Sequence, residues 1–325
     1  IAAAFGFFIG LVSFIRFMES PTKKNLLIAG VTFGIAQLLK FSLVLLIPLY
    51  GLLLISWIFA APNLHFRERM RIFIKRAASS IMIGLIGTAI IWAFYTPFVW
   101  NYPKDRQYAD AKFNLSSYGF RPAVDLNLRL IENKYTRPLG QYVLGILMVN
   151  QRAAGGNTAY YLGEVSAVGS RGYFPLLYLL KEPVALHILT AVAAFFALKK
   201  IWGSGQGSRA KEMFRRARFW IWQHFFEFSA LLFLAFYWGV SIQSPLNIGV
   251  RHVLPTFPFV YMLVSNGIVE WLRGVRVSNP QNWFEWLRGL YETYILRIPR
   301  FVFVLAMLFW LVASTIAVYP SFLSY

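Results

Sequence analysis

Apolar residues come in long uninterrupted runs along this chain, and charged residues fall in the short gaps between them. A helix that crosses the hydrocarbon of a bilayer needs roughly 17–25 mostly apolar residues. Runs of that kind occupy residues 1–17, 24–39, 42–60, 74–98, 173–198, 219–241, 252–270 and 300–318. The second is short, and Lys40 separates it from the third, which predicts two helices joined by a tight turn rather than one broken helix. The expected fold is an all-α polytopic membrane protein of about eight transmembrane helices.

One segment departs from this pattern. Residues 100–172 are too polar to span, yet too rich in aromatic and aliphatic residues for a disordered loop. "YGFRPAVDLNLRLIENKY" and "LGQYVLGILMVN" within it repeat apolar residues at helical spacing. Both are too short to cross a bilayer, which predicts interfacial helices in an extracytoplasmic cap. The organisation read from the sequence is therefore helices 1–4 in residues 1–99, the cap in 100–172, and helices 5–8 in 173–325.

Composition agrees with a lipid solvent. The chain is 58% hydrophobic and only 14% charged, against about 45–50% and 25% in soluble domains. Its net charge of +19 would suit nucleic acid if the basic residues formed one face of a folded domain. They instead form clusters between apolar runs, as cytoplasmic loops do, so no nucleic-acid partner is expected. With residues 16–25, 62–76, 199–218 and 271–300 inside, eight spans alternate without contradiction. Lys40, the segment 100–172, Lys181 and the pair Arg251–His252 then face outward, and the expected location is a plasma (inner) membrane with the active face extracytoplasmic. The chain holds no cysteine, and its four histidines lack ligand spacing such as HExxH. No cofactor and no histidine or thiolate metal site is expected, which leaves carboxylates as the one way to hold a divalent metal.

Candidate chemistry concentrates at the outward face. "LNIGVRHVLPTFP" sets Asn247, Arg251 and His252 before Pro255 and Pro258 at the start of an apolar run. An arginine at such an edge is ordinarily an interface anchor. Together with Lys40 and Lys181 it forms a set of cations suited to an anion at headgroup depth, most simply a lipid phosphate. Glu164 in "YYLGEVS" and Glu182 in "YLLKEP" are the nearest carboxylates in sequence; ion pairing with Lys181 or Arg171 is their ordinary role. "AAGGN" at 153–157 reads as a turn, because no Gly-Lys-Ser/Thr follows. "GSGQGS" at 203–208 reads as a flexible linker.

Four stretches carry a resemblance: "GIAQLLKFSLVLLIPL" (34–49), "YYLGEVSAVGSRGYFPLLYLLKEP" (160–183), "LNIGVRHVLPTFPF" (246–259) and "VYPSFLSY" (318–325). In that order they resemble the C-type (GT-C) glycosyltransferases that use polyprenyl-phosphate sugars, and within these the protein O-mannosyltransferase and aminoarabinose-transferase branch. The resemblance implies transfer of a sugar from the carrier to a protein, lipid or glycan hydroxyl, with inversion, on the extracytoplasmic side. It implies that Arg251 contacts the lipid phosphate with His252, Lys181 and Lys40 in support, and that Glu164 orients sugar or acceptor, while Asn247 joins the same substrate-binding set. It also implies an acidic general base in a first external loop. That loop is expected upstream of residue 1, since the chain starts at Ile1 inside an apolar run and reads as a piece of a longer protein, inactive by itself. A transporter or flippase of lipid-linked sugars has the same need for cations at headgroup depth and is the alternative.

Overall fold

In the computed structural model, residues 1–62, 64–203, 210–273, 282–291, 295 and 297–319 are described. In chain order the helices are α1 Ala2–Glu19, α2 Lys23–Leu39, α3 Leu46–Ala60, α4 Phe66–Trp100, α5 Lys104–Asn114, α6 Arg121–Glu132 and α7 Arg137–Ala154. A hairpin of β1 Ala159–Tyr161 and β2 Glu164–Ser166 follows. The remaining helices are α8 Tyr173–Lys181, α9 Val184–Gly203, α10 Ala210–Gln223, α11 Phe225–Gln243, α12 Phe257–Arg273, α13 Trp283–Leu290 and α14 Ile298–Val318. Short 3-10 turns occupy Phe41–Leu45, Val250–His252 and Leu254–Thr256.

Among the described residues, five helical stretches are long and apolar enough to cross a membrane: 2–19, 41–60, 66–100, 225–243 and 298–318. This is the pattern of a helical membrane protein. The span expected over 173–198 is instead two helices, α8 and α9, bent by 108° where Glu182 and Pro183 interrupt the run. The run 24–39 forms α2, of 17 residues, at the lower limit for a span. The run 252–270 begins its α-helix only at Phe257, because Pro255 and Pro258 leave the preceding residues in 3-10 turns and place a proline in the first turn, where its missing N–H is harmless. The run 219–241 is divided too. Residues 219–223 close the amphipathic α10, and α11 starts at Phe225. In 100–172 the two helix-like stretches are helical, as α6 and α7, each opened by a proline in its first turn. The stretch 204–208 of the expected linker, and residues 320–325 of the closing motif, lie outside the described residues.

The chain divides into two compact units. The first, residues 1–174 and 214–258, is centred on α1. Phe14 of α1 stacks on Tyr50 of α3 at 3.9 Å, nearly parallel, and the Tyr50 hydroxyl donates to the Gly10 carbonyl at 2.7 Å. Phe7 meets Phe233 and Tyr237 of α11 at 5.1 and 5.3 Å. On the other side the Ser13 and Thr32 hydroxyls pair at 2.5 Å, joining α1 to α2. Within residues 104–154, Ala111, Leu115, Val124, Ile131, Leu144 and Leu147 form a separate core shared by α5, α6 and α7. In the second unit, residues 175–213 and 259–325, Leu189 and Ala193 of α9 pack on Val264 and Ile268 of α12. Arg300 of α14 lies over the Trp271 ring and donates to the Trp271 carbonyl at 3.1 Å.

The contact between α2 and α4 depends on glycine. A Cβ on Gly34 would stand 3.0 Å from the Gly87 Cα, and one on Gly87 would stand 2.4 Å from the ring of Phe33, which is 6% exposed and has no room to turn. Small residues let helices approach where lipid offers no hydrophobic drive between them. One turn earlier on α4, Gly84 faces open space. Gly87→Val is expected to lower the stability of the detergent-solubilised protein by about 1–3 kcal/mol through overpacking. Gly84→Ala is expected to leave it unchanged or raise it by up to about 1 kcal/mol through helix propensity. Thermal unfolding of the two variants side by side checks the pair.

Candidate functional site

Three breaks in the helices of the first unit bring the candidate residues together. The first is at Lys40, whose backbone is extended between α2 and the 3-10 turn that follows. A break in an apolar surrounding needs its backbone groups satisfied from elsewhere. Gln37, 2% exposed, does this: its Nε2 donates to the Leu43 carbonyl at 2.9 Å, while its Oε1 accepts from the Tyr142 hydroxyl of α7 at 2.9 Å. Phe41 fits against Gly145 of the same helix, where any Cβ would clash with its ring. Lys40 is thereby held at the end of α2, where the following turn packs on α7.

The second break follows α11. Gly249 has φ +91°, a conformation that favours glycine because it has no Cβ, and the chain then winds through Val250–His252. The Tyr237 hydroxyl donates to the His252 carbonyl at 2.9 Å, fixing the turn to α11. Arg251 is exposed, with Nε donating to the Ile248 carbonyl at 2.9 Å. Among the described residues neither its terminal nitrogens nor the Lys40 ammonium has a hydrogen-bond or ion-pair partner. Lys40 lies within electrostatic reach of both Arg251 and His252. Burial, followed by the Arg251 charge, lowers the pKa of Lys40. Burial, followed by Lys40, pushes the His252 imidazole down to about 4. No carboxylate contributes to either shift. Asn247 is 3% exposed, and its Oδ1 is buried without a partner.

The third break is the β1–β2 hairpin, which carries Glu164. Glu164 stands opposite Tyr161 in the register, across a turn in which Leu162 and Gly163 both have positive φ. The side chain is exposed. Rings link this hairpin to the cations: Tyr161 to Tyr173 at 5.9 Å, Tyr173 to Phe174 at 5.3 Å, and Phe174 to His252 at 5.1 Å. At its base Gly169 packs so closely on Pro245 that a Cβ would stand 2.5 Å away. Glu164 therefore shares a structural frame with Arg251, Asn247 and His252 rather than an ion pair.

Lys181 belongs to the second unit, as the last residue of α8. Its neighbour Glu182, at the α8–α9 bend, accepts a hydrogen bond from the Tyr261 hydroxyl and forms no ion pair with Lys181 or Arg171. Tyr178 meets His187 edge-on at 5.5 Å beside it. On α5, Asp110 accepts a hydrogen bond from the Tyr102 hydroxyl and lies 3.9 Å from Arg106. The pKa of Tyr102 is raised, first by that hydrogen bond.

Sequence reasoning missed Gln37, Tyr142, Tyr237 and Phe174, the side chains that hold the cations in place. Gln37 alone left a signal, as an amide near the end of the apolar run before Lys40. Among the described residues no three His, Asp or Glu side chains gather as a metal set. No family model, curated protein or solved structure matches the chain.

The displaced His252 titration has a consequence for stability. An unfolded histidine titrates near 6.5, so between about pH 6.5 and 4 the unfolded chain binds a proton that the folded chain refuses. Stability is therefore full above pH 6.5 and falls as the pH drops toward 4. Unfolding midpoints measured across that range are expected to decline, and His252→Gln is expected to flatten the decline whatever its own midpoint.

Proposed function

We propose that this chain is the membrane-embedded core of an inverting glycosyltransferase. It takes a sugar from a polyprenyl-phosphate carrier and passes it to a hydroxyl on a protein, lipid or glycan at the extracytoplasmic face. One observation supports this reading above the others. Lys40 and Arg251 lie within electrostatic reach of each other with no carboxylate contributing, the His252 imidazole is coupled to Lys40, and the Asn247 amide oxygen, four residues before Arg251, is buried without a partner. Holding like charges together is unfavourable unless an anion joins them, and a phosphate meets that need.

In the reaction, the acceptor oxygen attacks the anomeric carbon from the face opposite the phosphate. The bond from that carbon to the phosphate oxygen breaks, and the phosphate leaves with the electron pair. Charge grows on the leaving oxygens, so cations fixed in advance by Gln37, Tyr142 and Tyr237 act most strongly in the transition state. Arg251 contacts the phosphate, while Lys40 adds charge. His252, neutral in its buried setting, donates a hydrogen bond rather than charge. The acceptor proton goes to a carboxylate base. Glu164, on its exposed hairpin, orients sugar or acceptor. The helices α5, α6 and α7 form the cap over the outer face, and α2, α12 and the bent α8–α9 pair complete eight spans with the basic segments inside. The resemblance of the four motif stretches to the GT-C enzymes points the same way.

A lipid-sugar transporter is the second reading, and the bent α8–α9 pair favours it, because discontinuous helices line many transport sites. The intact protein, given a panel of polyprenyl-phosphate sugars, separates the two. Transfer to acceptor is expected, with Arg251→Ala slower by about 10²–10³-fold, the loss typical of one preorganised charge-stabilising donor. Translocation in vesicles without lipid-phosphate release would replace the transferase with the transporter. Turnover unchanged in Arg251→Ala would return this arginine to the role of an interface anchor.

A further inference from the structure

At the other end of the first unit the basic residues are dense and ordered. Residues 16–25, 67–76 and 214–218 hold eleven Lys or Arg against two carboxylates. Arg76 brings the ends of α1 and α3 together, with its guanidinium over the Phe17 and Trp57 rings at 5.5 and 5.2 Å. The last carbonyls of α3 are then taken by two arginines from different helices. Arg69 donates to Ile58, Phe59 and Ala61, and Arg218 of α10 donates to Phe59 and Ala61 at 3.0 and 3.1 Å.

These bonds set where α10 lies. Phe214, Arg218 and Trp222 recur every four residues on one face, and all three meet the last turn of α3. Phe214 touches Phe59 at 5.5 Å, Trp222 touches Trp57 at 4.8 Å, and Arg218 lies over Phe59. The C-terminus of α10 leads into α11 across His224. Its middle is thus pinned where one span ends, and its end joins the start of another, so the helix runs at the membrane boundary. Turned away from α3 are Arg215, Arg216, Phe219 and Trp220, all exposed. Phe219 and Trp220 are 52% and 41% exposed. An aromatic pair beside two guanidiniums, at the depth where spans terminate, suits a leaflet surface: Phe219 and Trp220, the latter stacked on His224 at 5.4 Å, lie at the acyl boundary while the long arginine side chains reach up to the phosphates.

We propose that α10 is a docking surface for anionic phospholipid, with Arg215 and Arg216 against the headgroup phosphates and Phe219 and Trp220 seated just beneath. This surface lies at the opposite end of the unit from Lys40 and Arg251 and does not depend on the sugar-transfer reading. Each basic residue near an anionic surface contributes about 1 kcal/mol, or roughly fivefold in association.

The absence of cysteine makes the test direct. A nitroxide on Ala217→Cys, at the flank of α10, reports its depth in nanodiscs of phosphatidylcholine alone or with about a third phosphatidylglycerol. In the anionic bilayer the label is expected to gain access to oxygen and lose access to a nickel chelate, and high salt is expected to reverse the change. In the same label background, Arg215→Gln/Arg216→Gln is expected to weaken the preference for phosphatidylglycerol roughly 25-fold. Matching spectra in detergent show that the variant still folds. Equal accessibility in both bilayers, or a response that survives the double substitution, would overturn the proposal. The lipid and salt comparison on the unsubstituted helix decides the matter even where the double variant fails to fold.

Discussion

In an apolar solvent, a helix can be interrupted only where another group takes over the backbone bonds it gives up. That constraint organises the first unit. The break at Lys40 is met by Gln37, which satisfies the Leu43 carbonyl while holding Tyr142. The break after α11 is met by Tyr237, which reaches the His252 carbonyl. The end of α3 is met by Arg69 and Arg218. Each chemically interesting residue lies beside such a repair, so the charges occupy positions fixed by the same bonds that make the break tolerable.

The two ends of this unit use their cations differently. At the α10 end, arginines are engaged with carbonyls and rings, and their charge complements the negative end of the α3 dipole. At the opposite end, Lys40 and Arg251 lie within electrostatic reach of each other with no such neutralisation. A bare pair is unfavourable at rest and useful only when something negative arrives. Burial adds to this by keeping His252 neutral, so the site holds two fixed charges and a donor rather than three charges. In the proposed transfer, the leaving phosphate is what requires that charge.

Much of the helical plan was readable from apolar run lengths, since a span must be long and apolar whatever it packs against. The five long helices, together with α6 and α7, fall where that pattern places them. The divergences share one cause: run length does not register local backbone chemistry. Pro183 bends the run 173–198, Pro255 and Pro258 delay α12, and the amphipathic α10 merges by composition into the apolar α11. Within the site, Lys40, Arg251 and His252 were legible because charge is conspicuous in a greasy chain. Their placement was not. It rests on Gln37, Tyr142, Tyr237 and Phe174, which look like ordinary core residues until the fold brings positions 37 and 142 into contact. Glu164 was legible by motif, but its hairpin carries only half the usual turn signal: Gly163 is present, while Leu162, with φ 51°, stands where glycine, asparagine or aspartate would be expected.

The most direct measurement is phosphorus NMR of a polyprenyl monophosphate titrated with the intact protein, carried through Lys40→Ala, Arg251→Ala and the double variant. The expected result is saturable binding of the phosphate resonance that each substitution weakens, with the two losses coupled rather than additive because both cations hold one anion. Binding of uncharged polyprenol to the same extent, with the phosphate resonance unperturbed in all four proteins, would contradict a phosphate site at Lys40 and Arg251.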